Sequence, residues 1–296
     1  MQLINLSNIT TNNISLPSFS KKEVRLDVLR TDKIHPVVSG NKWFKLRYYL
    51  EKAAKLGKTT IVTKGGPWSN HIVATAAACK QSNFNSIGII RGERPPKPSV
   101  TMLDAMRYGM ELVFISRKHF SENKLPAFIT NNEVLFIDYG GYGTEGAEGA
   151  ATILDYCAKE NYTHIYCSAG SGTMLAGLVN AAAPGTFVTG ISSMKNNNSL
   201  ETEIKFLLKE KNKQFGLIHD YHCGGFATHT TELTAFMNNF FKQTNIPSDI
   251  VYTGKLFYAI TDLANKNHFP AGSSILAIHS GGLQGNASLN MGTLIF

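Results

Sequence analysis

The residues best suited to chemistry lie in two short segments, Ser39-Gly40-Asn41-Lys42 and Gly65-Gly66-Pro67-Trp68-Ser69-Asn70-His71. The first sets a lysine just after a glycine turn, at what reads as the start of a helix. The second is a glycine-hinged loop that delivers a hydroxyl, an amide and an imidazole at consecutive positions. A lysine amine held near a hydroxyl suits carbonyl chemistry, in which the amine forms a Schiff base with an aldehyde cofactor or substrate. Lys42 alone would read as a solvated surface cation; the pairing of the two segments is what lifts it.

Other glycine loops extend this set. Gly170-Ser171-Gly172-Thr173 follows an apolar run and opens a small-residue helix beginning at Met174. Glycines, free N–H groups, the helix dipole and two hydroxyls make a phosphate cradle, and the same stretch also reads as an ordinary helix-capping turn. Gly141-Tyr142-Gly143-Thr144-Glu145-Gly146 matches G-x-G-x-x-G, but the next strand ends Cys167-Ser168-Ala169-Gly170, with no acidic residue to hold a ribose. Gly57-Lys58-Thr59 has Lys52 where a P-loop needs its leading glycine. His219, His222 and Cys223 raise a metal; placed on a strand, 219 and 222 point to opposite faces, and no further ligand has diagnostic spacing. No metal is therefore expected, and Cys223-Gly224-Gly225-Phe226 reads as a close-approach turn. Tyr252-Thr253-Gly254 and His279-Ser280-Gly281-Gly282 complete a set of small polar residues on glycine turns, as one composite pocket requires.

The elements that must position these loops are legible as alternation. Apolar runs at 59–63, 86–90, 112–115, 134–137, 164–167, 187–191 and 275–278 are interleaved with helical patterns at 42–56, 70–81, 100–109, 147–160, 173–183, 199–211, 230–243 and 255–266. In helix 42–56, Phe44, Tyr48, Leu50, Ala53, Ala54 and Leu56 gather near one side. Such alternation predicts an α/β fold with largely parallel sheets, whose ligands sit at the carboxyl ends of strands. The glycine loops fall there, after Thr63, Ile137, Cys167 and Ile278.

The 296 residues suffice for one large or two modest domains. No stretch is long and apolar enough to span a bilayer. The opening Met1-Gln2-Leu3-Ile4-Asn5-Leu6 has neither a basic start nor a cleavage pattern, so no signal peptide is expected. Four scattered cysteines without C-x-x-C read as reduced thiols of a cytoplasmic protein. The net charge of +8 is spread along the chain, which favours attraction for small anions over nucleic acid.

Taken together, these motifs resemble pyridoxal-phosphate enzymes of the tryptophan-synthase-β fold (fold type II), and more narrowly the group of 1-aminocyclopropane-1-carboxylate deaminase and D-cysteine desulfhydrase. The resemblance runs from about Val38 to Gly285 and is most specific at Gly40-Asn41-Lys42 and Ser69-Asn70-His71. Arg91-Gly92-Glu93, Tyr252-Thr253-Gly254-Lys255 and His279-Ser280-Gly281-Gly282 support it. It implies two open, twisted, mostly parallel sheets flanked by helices. Residues 1–45 and 152–296 would form a large cofactor-binding domain and residues 46–151 a small α/β domain, in a homodimer.

The same resemblance implies residue roles. Lys42 would be the Schiff-base lysine and proton shuttle, and Asn70 the partner of the cofactor's phenolic oxygen. Gly170, Ser171, Gly172, Thr173 and Met174 would hold the phosphate. Ser69 would bind the substrate carboxylate or act at the leaving group, with Trp68, Asn70 and His71 beside it. Tyr252 would line the ring, with a catalytic part, and Thr253 would face the pyridine nitrogen. A carboxylate there, as in the deaminase, would keep that nitrogen protonated and the electron sink strong; threonine favours elimination of a good leaving group. The expectation is a lyase acting on a small amino acid, first D-cysteine. Deamination of 1-aminocyclopropane-1-carboxylate, a replacement reaction, a non-catalytic cofactor-binding protein and, distantly, a nicotinamide-dependent oxidoreductase are the rivals. Trp68, where a smaller or polar residue is usual, and the loop 140–149 depart from the group's pattern.

Overall fold

The computed structural model describes residues 3–296; Met1 and Gln2, with which the leader reading began, lie outside the described residues. Ten strands form two sheets: β1 (Thr11–Ile14), β2 (Arg25–Leu29), β3 (Thr60–Gly65), β4 (Asn85–Arg91), β5 (Glu111–Ile115), β6 (Val134–Ile137), β7 (His164–Ala169), β8 (Phe187–Ser192), β9 (Gly216–Ile218) and β10 (Ser274–Ile278). The larger sheet runs β1-β2-β10-β7-β8-β9 and is parallel except for the β1–β2 pair. The smaller runs β5-β4-β3-β6, all parallel.

The helices are α1 (Pro17–Ser20), α2 (Asn41–Lys55), α3 (Asn70–Gln81), α4 (Val100–Arg107), α5 (Arg117–Ser121), α6 (Thr144–Ala151), α7 (Thr173–Ala181), α8 (Leu200–Leu207), α9 (Thr231–Thr244) and α10 (Thr253–Asn265). The larger sheet is buried on both faces, which is why its strands read as continuous apolar runs. Leu276 and Ile278 of β10 point into the core that holds Leu175 and Leu178 of α7. Ile275 and Ala277 point the other way, toward Leu256, Phe257 and Ile260 of α10.

All seven expected strands are present, and three were missed for physical reasons. β1 is a polar edge strand, Thr-Asn-Asn-Ile, and β9 has only three residues. In β2 the apolar run is broken by Asp27, which is fully buried and accepts from Asn13 Nδ2 and Tyr162 Oη, both at 2.8 Å. The expected helix 147–160 instead starts at Thr144, because Gly143 takes φ 139° just before it, and gives way to a 3-10 turn over Thr152–Tyr156. Residues 219 and 222 lie in a loop beyond β9, so the strand-face argument about His219 and His222 does not apply; the expected tight turn is there, with Cys223, Gly224 and Gly225 all at positive φ.

Helix α2 also departs from its expected face. Tyr48 is half-buried, and Ala54 and Leu56 are exposed. The buried set is Asn41, Phe44, Lys45, Leu46, Tyr49, Leu50 and Ala53. Phe44 enters the core of the larger sheet, while Leu46, Tyr49, Leu50 and Ala53 enter that of the smaller. A helix serving two cores needs a wide apolar face, and the single-stripe reading could not show that.

Helices α2, α6 and α7 are joined at glycine contacts. A Cβ on Gly149 would fall 1.8 Å from the Phe44 carbonyl oxygen, and one on Gly177 would fall 2.4 Å from that of Ala147. This backbone contact sets the helix that carries Lys42 against the one behind the Gly170–Gly172 loop. Gly149→Ala should therefore lower unfolding free energy by about 1–3 kcal/mol, the usual cost of overpacking. A chemical-denaturation midpoint equal to wild type would contradict this packing.

Candidate active site

Four carboxyl-end loops converge on one cavity of about 720 Å³. They are Gly66–Asn70 after β3, Tyr139 and Gly140 after β6, Gly170–Gly172 after β7, and Ser280–Gly282 after β10. Lys42, Trp68, Ser69, Asn70, His71, Gly170, Ser171, Gly172, Met174 and Tyr252 all line it. Two of the expected residues do not. Thr173 is fully buried behind Ser171, with the two hydroxyls 2.9 Å apart. Thr253 is also fully buried: its Oγ1 donates to Asp249 Oδ1 at 2.6 Å and accepts from the Asp249 N–H at 2.8 Å. Its O–H is thus committed to a carboxylate behind the cavity wall.

Lys42 is fixed by what precedes it. Gly40 has φ 56°, and a Cβ there would sit 2.1 Å from the Ser280 carbonyl oxygen, so only glycine allows the approach. The same oxygen accepts from Asn41 N–H at 3.2 Å, and Gly282 N–H donates to Ser39 Oγ at 3.3 Å. Lys42 Nζ then lies 3.2 Å from Asn41 Oδ1 and 5.7 Å from the centre of the Tyr252 ring. Desolvation lowers its pKa to about 8, against the opposing pull of buried Asp249. Near neutral pH a useful fraction of this amine is therefore an uncharged nucleophile.

Ser69 caps α3, its Oγ accepting from the Ile72 N–H at 3.4 Å. This cap sets Asn70 and His71 in the first turn. Asn70 Nδ2 donates to Gly282 O at 3.3 Å, leaving its second N–H open and Oδ1 buried without a partner. His71 Nε2 is 2.9 Å from Thr63 Oγ1, whose own hydrogen goes to Ile137 O. Thr63 must then accept, so the proton sits on Nε2 and Nδ1 is a bare acceptor, also without a partner. Burial first, then the charges of Lys42 and Lys45, hold this imidazole neutral, with its pKa well below the usual value.

Sequence reasoning missed Lys45. It lies one helical turn beyond Lys42, a spacing that could have revealed it. It is buried, it lines the cavity, and its Nζ donates to Gly140 O at 3.1 Å. Gly140 in turn abuts Ser171, since a Cβ on it would fall 3.3 Å from Ser171 Oγ. Desolvation, and then repulsion from Lys42, push the Lys45 pKa well down. A buried amine with one neutral acceptor and a lowered proton affinity is an incomplete arrangement, and a dianion beside it would restore its proton and make the hydrogen bond charge-assisted.

These features fit pyridoxal phosphate. The first turn of α7 has unpaired N–H groups beyond a glycine bend, with Gly172 at φ 73°. Together with Lys45 and Ser171 it can hold a dianion. Lys42 supplies the amine, Tyr252 an aromatic wall, and Asn70 an open N–H for a phenolic oxygen. The unpartnered atoms of Asn70, His71 and Ser168 all belong to residues lining this cavity. Metal is a poorer fit, because among the described residues no group of three or more His, Cys, Asp or Glu side chains could hold an ion.

Two outcomes follow for the cofactor-free protein. Its rate of imine formation with pyridoxal phosphate should rise with pH through about 8 and then level off, because only unprotonated Nζ adds to the carbonyl. A pH-independent rate by stopped-flow absorbance would contradict the placement of Lys42. Lys45→Met should weaken cofactor binding at least tenfold by titration, the loss expected for one charge-assisted hydrogen bond. Unaltered affinity would show that Lys45 does not meet the phosphate.

Comparisons with known proteins bear on the cofactor and the family. The chain is 28% identical over 291 residues to a Pyrococcus horikoshii protein provisionally named 1-aminocyclopropane-1-carboxylate deaminase, covering 91% of this chain and 88% of that one. It is 26% identical over 290 residues to the mitochondrial bifunctional D-cysteine desulfhydrase/1-aminocyclopropane-1-carboxylate deaminase of Arabidopsis thaliana, covering 87% and 72%. A crystal structure described as an ACC deaminase homologue superposes with a TM-score of 0.82 at 26% identity, covering 96% of this chain and 92% of that one. With a family model for pyridoxal-phosphate dependent enzymes matching residues 4–281, the chain belongs to that family.

Proposed function

We propose that the protein is a lyase that eliminates a thiolate from the β-carbon of a small amino acid, with D-cysteine as the simplest substrate. The observation that carries this choice is the absence of any Asp or Glu among the residues lining the cavity, which instead include Lys42, Lys45 and Arg91. Among the described residues lining the cavity there is thus no carboxylate to offer a proton to the pyridine nitrogen. Thr253, at the position that resemblance marks for that role, keeps its O–H on Asp249. Bound pyridoxal phosphate supplies an aldehyde for the substrate amine and a ring that acidifies the Cα–H bond. A weaker sink suffices when the electron pair leaves with sulfur.

In this reading Lys42 Nζ takes the α-proton, its lowered pKa matching it to the task near neutral pH. Ser69 and the open N–H of Asn70 bind the carboxylate and the phenolic oxygen. Tyr252 lines the reacting face. Burial raises its phenol pKa well above the usual value, so it can donate a proton but holds it tightly. The balanced outcome is cysteine plus water giving pyruvate, ammonia and hydrogen sulfide. The reading includes a homodimer, carried by resemblance, and a reducing cytoplasmic compartment, supported by four cysteines that are all unpaired.

Deamination of 1-aminocyclopropane-1-carboxylate is the second reading. The name of the archaeal relative favours it, that of the plant relative carries both activities, and the lack of an acidic lining residue disfavours it. Purified protein loaded with pyridoxal phosphate should release pyruvate and sulfide in equal amounts from D-cysteine, and Lys42→Ala should abolish this. Formation of 2-oxobutyrate from the cyclopropane substrate, with D-cysteine inert, would reverse the assignment.

A further inference from the structure

The cavity of about 720 Å³ has to take the cofactor as well as the substrate, and part of its lining is aromatic surface that elimination of hydrosulfide does not use. Two large apolar side chains that remain solvent-exposed open into it, Trp68 at 46% and Phe226 at 44%. They come from different walls, Trp68 from the loop after β3 and Phe226 from the loop after β9. The Phe226 ring meets Tyr252 edge to face, with centroids 6.1 Å apart, and Tyr252 lies 5.7 Å from Lys42 Nζ. An aromatic strip thus runs outward from the reacting amine, with Phe120 and Met194 also lining the cavity.

The Phe226 loop is held in place at some cost. Lys255 is fully buried and donates from Nζ to Gly225 O at 2.7 Å, next to Phe226. Gly224, Gly225 and Ala227 all take positive φ. A buried lysine with a backbone oxygen as its partner is an expensive way to fix a loop, and it fixes one that presents an exposed phenyl ring to the cavity.

We propose that this strip is a subsite for the sulfur substituent, so that the preferred substrates are cysteine S-conjugates with an aryl or other large apolar group. This rests on the lyase reading above. In the step, the α-proton passes to Lys42, the Cα–Cβ double bond forms, and the Cβ–S bond breaks with its electron pair leaving on the bulky thiolate. One water then converts the remaining fragment to pyruvate and ammonia, and the thiolate takes up a proton.

The test compares racemic S-benzylcysteine with racemic S-methylcysteine, whose thiolate is of similar basicity but small, using the cofactor-loaded protein. The ratio of kcat/KM should favour S-benzylcysteine at least tenfold, and Phe226→Ala should lower that ratio at least tenfold. Lys255→Met should lower it in the same direction by loosening the loop. A ratio near one in wild type, or one that Phe226→Ala leaves in place, overturns the subsite. Pyruvate from D-cysteine with both S-conjugates inert overturns the subsite alone. If neither these compounds nor D-cysteine yields pyruvate, the lyase reading fails, and binding alone decides the subsite. S-benzylcysteine should then quench Trp68 fluorescence at concentrations at least tenfold below those of alanine, with the signal absent in Trp68→Phe. Equal affinities, or a signal that follows only protein concentration because a second copy covers Trp68, overturn the proposal.

Discussion

The site depends on one contact, the approach of Gly40 to the carbonyl of Ser280. Without a Cβ at residue 40, the chain leaving β2 presses onto the loop after β10, and α2 begins against it. Thr31 Oγ1 on His279 O at 2.6 Å and Gly282 N–H on Ser39 Oγ tie the same two segments together. Everything chemical is measured from there. Lys42 follows two residues later, Asn70 reaches Gly282 O from the smaller sheet, and the glycine contacts among α2, α6 and α7 carry the registration on to the phosphate-type loop. Rigid elements meeting at backbone distance place the side chains, which is how a cleft between two sheets keeps a fixed geometry.

A second layer of order is electrostatic. Among the described residues the cavity wall carries the basic side chains of Lys42, Lys45 and Arg91 and no acidic ones, while Asp249, whose charge acts on the reacting amine, is set behind it. Asp249 is fully buried and accepts from the N–H groups of Val251, Tyr252 and Thr253, each at 2.9 Å, and from Thr253 Oγ1. Burial pushes its pKa up, but all four partners are donors and hold the ionised form. The negative charge thereby steadies the first turn of α10 and the position of Tyr252, and acts on Lys42 and Lys255 only through space. The result is a lining that favours anions, consistent with a site for a phosphorylated cofactor and an amino-acid carboxylate.

Much of this was legible in the sequence because its signals are local. Glycine turns that end apolar runs mark carboxyl-end loops in a parallel sheet, and all four that were singled out line the cavity. Where legibility ended, the missing information was tertiary. Buried Asp27 hides a strand because its partners come from β1 and from Tyr162, far along the chain. Lys45 resembles any helical lysine until Gly140, nearly a hundred residues away, is packed over it. The resemblance turned Thr253 toward the cavity, whereas the Asp249 carboxylate, four residues earlier, draws its hydroxyl away. The loop at 140–149 also divides in two, with Gly140 on the cavity beside Tyr139 and the later residues in α6, a spacer between α2 and α7.

Of the three lysines with depressed pKa values near this cavity, Lys42 is the one placed to bind the cofactor's aldehyde. Borohydride reduction of the pyridoxal-phosphate-loaded protein, followed by proteolysis and mass mapping, tests it directly. A single phosphopyridoxyl group is expected on the peptide containing Lys42. The label on Lys45 or Lys255, or no stable label at all, would contradict it.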